Sequence, residues 1–330
     1  MPELDSLSVL LLWTAIAIYS AAFIAYAFDL ASRSSAKTEA KVTASERVLV
    51  AAGGGSDAGS EVASGMDTAS DAPAKPRFVM ARIGTSLTVL GFLFHLAATV
   101  LRGIGAGRVP WANLYEFAMI GTLLIVAVFL VVLTRLDLRY LGTFIIGLIV
   151  VLLGLASTNF YVAIVPLMDP LKSIWLIIHV FVASLSTALF ALAFALSVMQ
   201  LMQARRERLI DEGAAKTGPG FLRTIPDATR LENLAYRFSV VGFIFWTFTL
   251  IAGAIWAQDA WGRYWGFDVK ETWTFVIWVI YAGYIHARAT RGWRGTPSAW
   301  LSIVGFAAVI FNFTIVNVFF KGLHAYSGLS

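Results

Sequence analysis

Eight long apolar runs limit what this sequence of 330 residues can fold into. Most of them reach the roughly 20 apolar residues that an α-helix needs to cross a bilayer core about 30 Å thick. Within lipid every backbone N–H and C=O group must be hydrogen-bonded, so only helices and closed barrels span membranes. The alternation of apolar and polar residues typical of barrel strands is absent. We therefore predict an all-α, polytopic membrane bundle of about eight helices, at 7–29, 83–101, 114–134, 140–158, 174–202, 237–257, 273–288 and 299–320.

The composition supports a membrane protein and divides the chain into three parts. The mean hydropathy is +0.76, and 58% of the residues are hydrophobic against 14% charged, which excludes an ordinary water-soluble domain. The first span, within residues 1–30, is predicted to stay uncleaved because its flank MPELDS is acidic and its apolar stretch is long for a signal peptide. Residues 31–80 are predicted to be a disordered cytoplasmic linker, because a stretch rich in Ala, Gly, Ser and Asp buries little apolar surface. Residues 81–330 form the predicted membrane domain of seven spans.

Lysine and arginine are distributed unevenly between the connections, and this predicts the orientation. Basic residues are retained on the cytoplasmic side of a membrane, and one set of alternate connections holds 19 of the 25. That set includes the linker and the loop 203–236, which are therefore predicted to be cytoplasmic. With an even number of spans, both termini and the tryptophan-rich connection 256–273 then lie on the outer side, periplasmic or extracellular. The net charge of +5 is read as a sign of topology and not of nucleic-acid binding.

The connection WAQDAWGRYWGFDVKETW, from Trp256 to Trp273, holds the densest aromatic cluster of the chain. Tryptophan at a membrane boundary most often anchors a helix end at the lipid headgroups. An anchor needs only one or two rings, however, and here Trp261 and Trp265 accompany glycines and the charged residues Asp268, Lys270 and Glu271. The cluster therefore has two interpretations, an interfacial anchor or a binding surface.

The four histidines separate by their predicted depth. The chain has no cysteine, so it forms no disulfide or thiolate site of its own. His179 lies about six residues inside the outer end of its span, roughly 10 Å below the interface, and His324 lies just beyond the outer end of the last span. His286 lies at the inner end of the seventh span, and His95 is interpreted as a packing residue. His179 and His324 are therefore expected at the same face as the tryptophans.

Two neutral imidazoles beside a wall of indoles favour haem over a bare metal ion. Imidazole nitrogens are common axial ligands of haem iron, and flat indoles stack on a large planar group. Two alternatives stay open. A dihaem electron-transfer cytochrome would usually pair histidines on two helices, whereas no two of the four histidines share a span. A membrane transporter without haem chemistry suits eight spans equally well, although it more often shows broken helices and charges in mid-membrane.

Five stretches carry a family resemblance, namely NLYEF (113–117), LKSIWLIIHV (171–180), WGRYWGFDVKETW (261–273), YIHAR (284–288) and GLHAYSG (322–328). In this order they resemble the CcsA family, also called ResC, of system II cytochrome c biogenesis. That family is the membrane half of a cytochrome c synthetase, a haem lyase. The resemblance covers the chain from about residue 83 onward.

The resemblance implies a set of site residues for b-type haem that is bound non-covalently before transfer. By the family pattern His179 and His324 are the outer axial ligands, and His286 is a ligand of an inner haem. The tryptophan-rich signature supplies the remaining cofactor-binding residues, which are Trp261, Trp265, Phe267, Asp268 and Trp273. Phe267 stands where the family usually has Trp, and Val269 where it usually has Pro.

The resemblance also implies partners and a location. A CcsB/ResB-like membrane subunit is expected to donate the second inner histidine. The substrate is expected to be apocytochrome c, whose Cys-x-x-Cys-His segment receives haem through thioethers, with a thioredoxin-like thiol reductant acting indirectly. The expected location is the plasma or inner membrane, where the multi-pass chain contacts lipid and its active face lies outside the cytoplasm.

Overall fold

Helices make up the framework of the protein. This computed structural model describes residues 2–52, 79–167, 171–290, 292–320 and 322–324, and within them the chain forms helices and no strands. The helices in this part of the chain are α1 (Pro2–Ala52), α2 (Val79–Ala106), α3 (Leu114–Leu133), α4 (Gly142–Asn159), α5 (Ile174–Asp211), α6 (Ala228–Trp261), α7 (Val269–Thr290), α8 (Thr296–Phe313) and the short α9 (Ile315–Phe319). Two 3₁₀ turns, Arg139–Leu141 and Gly220–Thr224, lie in connections.

The predicted all-α membrane bundle is confirmed. Among the described residues, seven helices are long and apolar enough to cross a membrane, namely α1 to α6 and the stretch from α8 into α9. The other long helix, α7, has 22 residues, which span about 33 Å at 1.5 Å per residue. Lys270, Glu271 and Arg288 lower its apolar character. All eight predicted runs are thus helical, and the least apolar one carries charges at both ends.

Several helices extend beyond the apolar runs that predicted them. Residues 31–52 of the predicted disordered linker are helical, because α1 continues to Ala52. The part from Lys37 to Ala52 contains many Ala, Lys and Glu residues, which have high helix propensity. Residues 53–78 of the linker lie outside the described residues.

Two predicted loops are shorter than expected, because the flanking helices extend into them. The segment 203–236 contains the end of α5 and the start of α6, so residues 212–227 form the connection. The tryptophan-rich connection 256–273 reduces to residues 262–268, since its first six residues end α6 and its last five begin α7. Side chains cap the starts of α5 and α6. Ser173 accepts a hydrogen bond from the backbone N–H of Trp175, and Asp227 accepts one from the backbone N–H of Arg230.

The long helices pack side by side in a bundle. α1 packs against α2 and α4, and α5 packs against α6, α3 and α8, which in turn contacts α7. Close approach depends on small residues, since a Cβ on Gly142 of α4 would lie 2.6 Å from the Tyr26 ring of α1. We call the end of the bundle that holds His179 and His324 the histidine end, and the opposite end the basic end.

A buried ion network joins three helices at the histidine end. Arg102 of α2 is fully buried and donates from Nε to Glu116 of α3 over 3.0 Å. Its remaining nitrogens donate to Asp5 of α1 over 2.5 Å and to the Val162 carbonyl over 2.6 Å. Arg108 donates to the other Glu116 oxygen over 2.7 Å. Two guanidinium groups and two carboxylates thus balance in charge and hold the first two helices to the rest of the bundle.

We predict that Glu116→Ala destabilises the protein strongly. The change leaves Arg108 and part of Arg102 as buried cations without their carboxylate, and breaking such a pair costs about 3–5 kcal/mol. Thermal unfolding in detergent, followed by circular dichroism, measures the effect. Asp137→Ala is the matched control, because the Asp137–Arg139 pair is exposed and worth about 1 kcal/mol or less. Equal unfolding temperatures for the two variants would contradict the structural role of the network.

Candidate functional site at the histidine end

The seven-residue connection between α6 and α7 is folded back by a carboxylate. α6 ends at Trp261 and is capped by Gly262, whose φ of +69° lies in the left-handed region that glycine adopts readily. Glu271, in the first turn of α7, accepts hydrogen bonds from the backbone N–H groups of Gly266 at 2.9 Å and Asp268 at 3.0 Å. Arg263 lies 3.6 Å from the same carboxylate. Glu271 therefore fixes the connection on the start of α7, as the glutamate of a capping box does.

Asp268 joins this connection to the C-terminal segment. Its Oδ1 accepts from the backbone N–H of Leu323 at 3.0 Å, and its Oδ2 accepts from Nδ1–H of His324 at 2.8 Å and from the backbone N–H of Lys270 at 3.3 Å. A Cβ on Gly322 would collide with the Asp268 carboxylate, so the segment can approach this closely only with glycine at that position.

The protonation states at this contact follow from its surroundings. The hydrogen bond from His324 is the main cause that lowers the pKa of Asp268 to about 2, so the carboxylate is ionised at neutral pH. Burial lowers the pKa of His324 despite the nearby carboxylate, so its ring is neutral at neutral pH. The neutral ring donates through Nδ1–H and keeps the lone pair of Nε2 for another partner.

His179 is held in the same way by a different acceptor. It lies in the second turn of α5 and donates from Nδ1 to the backbone carbonyl of Thr249 in α6 over 2.9 Å. Gly253, one turn further along α6, lets the ring approach, since a Cβ there would lie 2.8 Å from two ring atoms. Within the part of the chain that the structure describes, neither His179 nor His324 makes a hydrogen bond through Nε2.

Trp256 connects the two histidines, and sequence reasoning did not select it. Its buried ring stacks on His179 with a centroid distance of 6.0 Å and meets the edge of His324 at 5.4 Å. Trp261 lies 4.8 Å from both Trp256 and His324. Helical spacing gave no signal for it, because five residues rotate an α-helix by about 140° and do not place Trp256 and Trp261 on one face.

Two cavities meet at the histidines. A cavity of about 570 Å³ lies between α5, α6, α7 and α8 and includes Trp265 in its wall. A second, of about 640 Å³, extends toward Trp111 before α3. His179, His324 and Lys270 line both.

Lys270 and Asn317 form a polar pair beside these cavities. The sequence did not predict this pair. The Lys270 ammonium donates to Oδ1 of Asn317 over 2.5 Å and lies 5.7 Å from the centre of the Phe313 ring. The pair ties the start of α7 to α9, and it places a cationic side chain in the shared wall.

The structure brings together five of the eight predicted site residues. His179, His324, Trp261 and Asp268 contact one another directly or through Trp256, and Trp265 lines the first cavity. The other three predicted site residues lie elsewhere; they are Phe267, Trp273 and His286.

Phe267 and Trp273 point away from the two cavities. Phe267 is 81% exposed, with a backbone φ of +57° that is uncommon for a residue other than glycine. Trp273 packs on Phe311 of α8, with ring centroids 4.4 Å apart. Four residues after Val269, the helical rotation of α7 turns Trp273 toward α8 and the bundle.

The remaining histidines lie away from this cluster. His286 is exposed on α7 at the basic end, two residues before Arg288, which pairs with Glu232 of α6 at 3.1 Å. His95 is fully buried in α2, and its Nδ1 lies 3.5 Å from the Tyr19 hydroxyl oxygen. The placement of His95 agrees with a packing residue.

Comparison with known proteins identifies the family. The Cytochrome C assembly protein family matches residues 111–324, which include α3 to α9, the tryptophan-rich connection and both clustered histidines. The chain belongs to the CcsA family of cytochrome c assembly proteins. It is a multi-pass membrane protein of cytochrome c biogenesis.

Individual relatives extend the match. The chain is 33% identical over 249 residues to the cytochrome c biogenesis protein CcsA of Heterosigma akashiwo, covering 67% of this chain and 77% of that protein. It is 34% identical over 267 residues to CcsA of Guillardia theta, covering 75% and 86%, respectively. It is also 34% identical over 258 residues to CcsA of Prochlorococcus marinus, covering 69% and 78%.

A solved structure shares the fold. The cytochrome c haem lyase CcmF superposes with a TM-score of 0.62 at 16% sequence identity, covering 94% of this chain and 46% of that one. The likeness at this identity concerns the fold, and the chain spans less than half the length of that lyase.

We predict that Gly253→Ala displaces the His179 ring. An added Cβ would lie 2.8 Å from ring atoms, and such overpacking costs about 1–3 kcal/mol. The measurement is thermal unfolding in detergent. Gly154→Ala in α4 is the control, because a Cβ there meets nothing within 4 Å and alanine has the higher helix propensity. If Gly253→Ala unfolds no earlier than the control, α6 does not approach His179 as closely as described.

Proposed function

We propose that the protein binds b-type haem at the histidine end and takes part in its covalent attachment to apocytochrome c. The observation that carries this proposal is the arrangement of His179 and His324. Each ring is held through Nδ1 and, in the described part of the chain, makes no hydrogen bond through Nε2. Trp265 lines the first of the two cavities beside these rings and Trp256 the second, while Trp261 packs on His324. Haem is here the substrate that leaves with the cytochrome, and the protein serves as a subunit of a cytochrome c synthetase.

The donor set fits haem in three respects. Metal-bound histidines usually donate their other ring N–H to a carboxylate or a carbonyl, and both kinds of acceptor occur here. Indole rings provide flat apolar surface for a macrocycle. Lys270, in the shared wall, and Arg263, in the connection, supply cations that suit the propionates of haem.

The proposed chemistry requires positioning more than acid–base catalysis. A histidine of the Cys-x-x-Cys-His segment replaces one protein ligand of the iron, which brings two thiols beside the vinyl groups. Each S–H adds across a vinyl C=C bond, the sulfur bonding to one carbon and the hydrogen to the other. The addition needs no oxidant, so a thioredoxin-like reductant is required only to keep the thiols reduced beforehand.

We infer that the histidine end faces outward, on the side away from the cytoplasm, across a plasma or inner membrane. The support is the charge distribution, since 19 of the 25 lysines and arginines belong to the opposite set of connections. Apocytochrome c reaches its synthetase outside the cytoplasm in this proposal, in agreement with the site at the histidine end.

We propose that His286 ligates a second, inner haem together with a CcsB/ResB-like subunit. His286 is exposed on α7, and in the described part of the chain none of the other histidines lies at the basic end. A six-coordinate haem there needs a second ligand from outside the chain. Haem would then pass from this inner site to the histidine end.

We predict that His179→Ala and His324→Ala each change the absorption spectrum of the reduced protein, purified with its partner subunit. Each change removes one axial nitrogen, and added imidazole should restore the spectrum by taking its place. His95→Gln, a histidine change away from both cavities, should leave the spectrum unaltered. A wild-type complex without haem, or unaltered spectra in both variants while cytochrome c maturation continues, would favour the alternative of a transporter without haem chemistry.

We predict that His286→Ala lowers the haem content of the complex and that imidazole raises it again. Haem content is measured by the pyridine haemochrome method on purified samples. The wild-type chain purified without its partner subunit should show the same deficit, because the partner supplies the other ligand. Full haem content in the chain alone would contradict a shared inner site.

A further inference from the structure

The two histidines at the histidine end differ in the acceptor that holds Nδ1. His324 donates to the carboxylate of Asp268 over 2.8 Å, whereas His179 donates to the backbone carbonyl of Thr249 over 2.9 Å. We propose that this difference sets the order of ligand exchange: His324 stays on the iron while His179 yields to the histidine of the apocytochrome. This inference rests on the proposed function.

The carboxylate makes His324 the stronger donor. An ionised acceptor draws the Nδ1 proton and raises the electron density at Nε2, which strengthens the bond from Nε2 to a metal. Hydrogen bonds to charged acceptors are also roughly twice as strong as neutral ones. The Thr249 carbonyl orients the His179 ring but carries no net charge. The iron–nitrogen bond to His179 is therefore the weaker of the two.

Asp268 also holds the backbone on both sides of this contact. It accepts from the N–H groups of Leu323 and Lys270, so the segment carrying His324 cannot move away without breaking several hydrogen bonds. Asp268 thus acts as a positioning residue, through His324. His179 needs to lose only its bond to iron, because α5 and the Thr249 carbonyl keep the neutral ring in place.

The exchange balances without redox change. One iron–nitrogen bond breaks at His179 and another forms to the incoming imidazole, and each nitrogen retains or supplies its own electron pair. No proton moves on the protein, since His179 keeps its Nδ1–H on Thr249.

Binding of carbon monoxide identifies which histidine leaves the haem iron. In the reduced, haem-loaded complex it replaces the weaker axial ligand, and its C–O stretching frequency depends on the ligand that remains opposite. The expected infrared spectrum of wild type matches that of His179→Ala, in which only His324 remains, and differs from that of His324→Ala. A wild-type spectrum that matches His324→Ala would overturn the proposal.

A double-variant experiment tests the role of Asp268. In His324→Ala, added imidazole can place its N–H on Asp268, so His324→Ala/Asp268→Asn should bind imidazole about tenfold more weakly, the lower end of the effect of such partners on metal sites. The same Asp268→Asn change added to His179→Ala should alter imidazole affinity by only about twofold, as for independent sites. An equal loss of imidazole affinity in the His324→Ala and His179→Ala proteins would contradict a specific action of Asp268 through His324.

The outcomes separate this inference from the proposed function. If the wild-type complex holds no haem, the proposed function fails and the inference fails with it. If haem is bound and both histidines are ligands, but the carbon monoxide spectra assign His179 as the retained ligand, only the order of exchange is wrong.

Discussion

Two carboxylates at the start of α7 determine the geometry of the histidine end. Glu271 folds residues 262–268 back onto the helix through two backbone N–H groups, and Asp268 binds the C-terminal segment through Leu323 and His324. With only seven residues between α6 and α7, these bonds leave the connection little freedom. The position of Trp265 in the wall of the first cavity follows from that constraint.

Charged residues at both ends of α7 lower the apolar character of this helix, which is not among the seven described helices apolar enough to cross a membrane. Lipid favours continuous apolar segments, yet Lys270 and Glu271 occupy the first turn of α7 and Arg288 its last turn. Their groups are paired, with Asn317, with the backbone of the connection and with Glu232, respectively. Pairing of this kind is the condition under which charged side chains lie at membrane depth.

The sequence predicts the architecture well because one physical rule applies to every apolar run. In lipid the backbone N–H and C=O groups must be hydrogen-bonded within the protein, so each run forms a helix. The sequence also brings His179 and His324 to one end, since helix length converts residue number into depth. The sequence could not predict that the Thr249 carbonyl accepts from His179 or that the His179 ring packs against Gly253. Both contacts depend on how α5 and α6 pack, and neither has a residue pattern of its own. The orientations of Phe267 and Trp273 depend on a left-handed φ and on the rotation of α7, which a motif does not encode.

The two ends of the bundle differ in how much of a ligand set one chain provides. At the histidine end both imidazoles come from this chain, and the rings of Trp256 and Trp261 enclose them. At the basic end the single histidine, His286, lies exposed on α7. A group bound by two imidazoles can therefore be held at the histidine end by this chain alone, whereas the described residues provide one imidazole at the basic end.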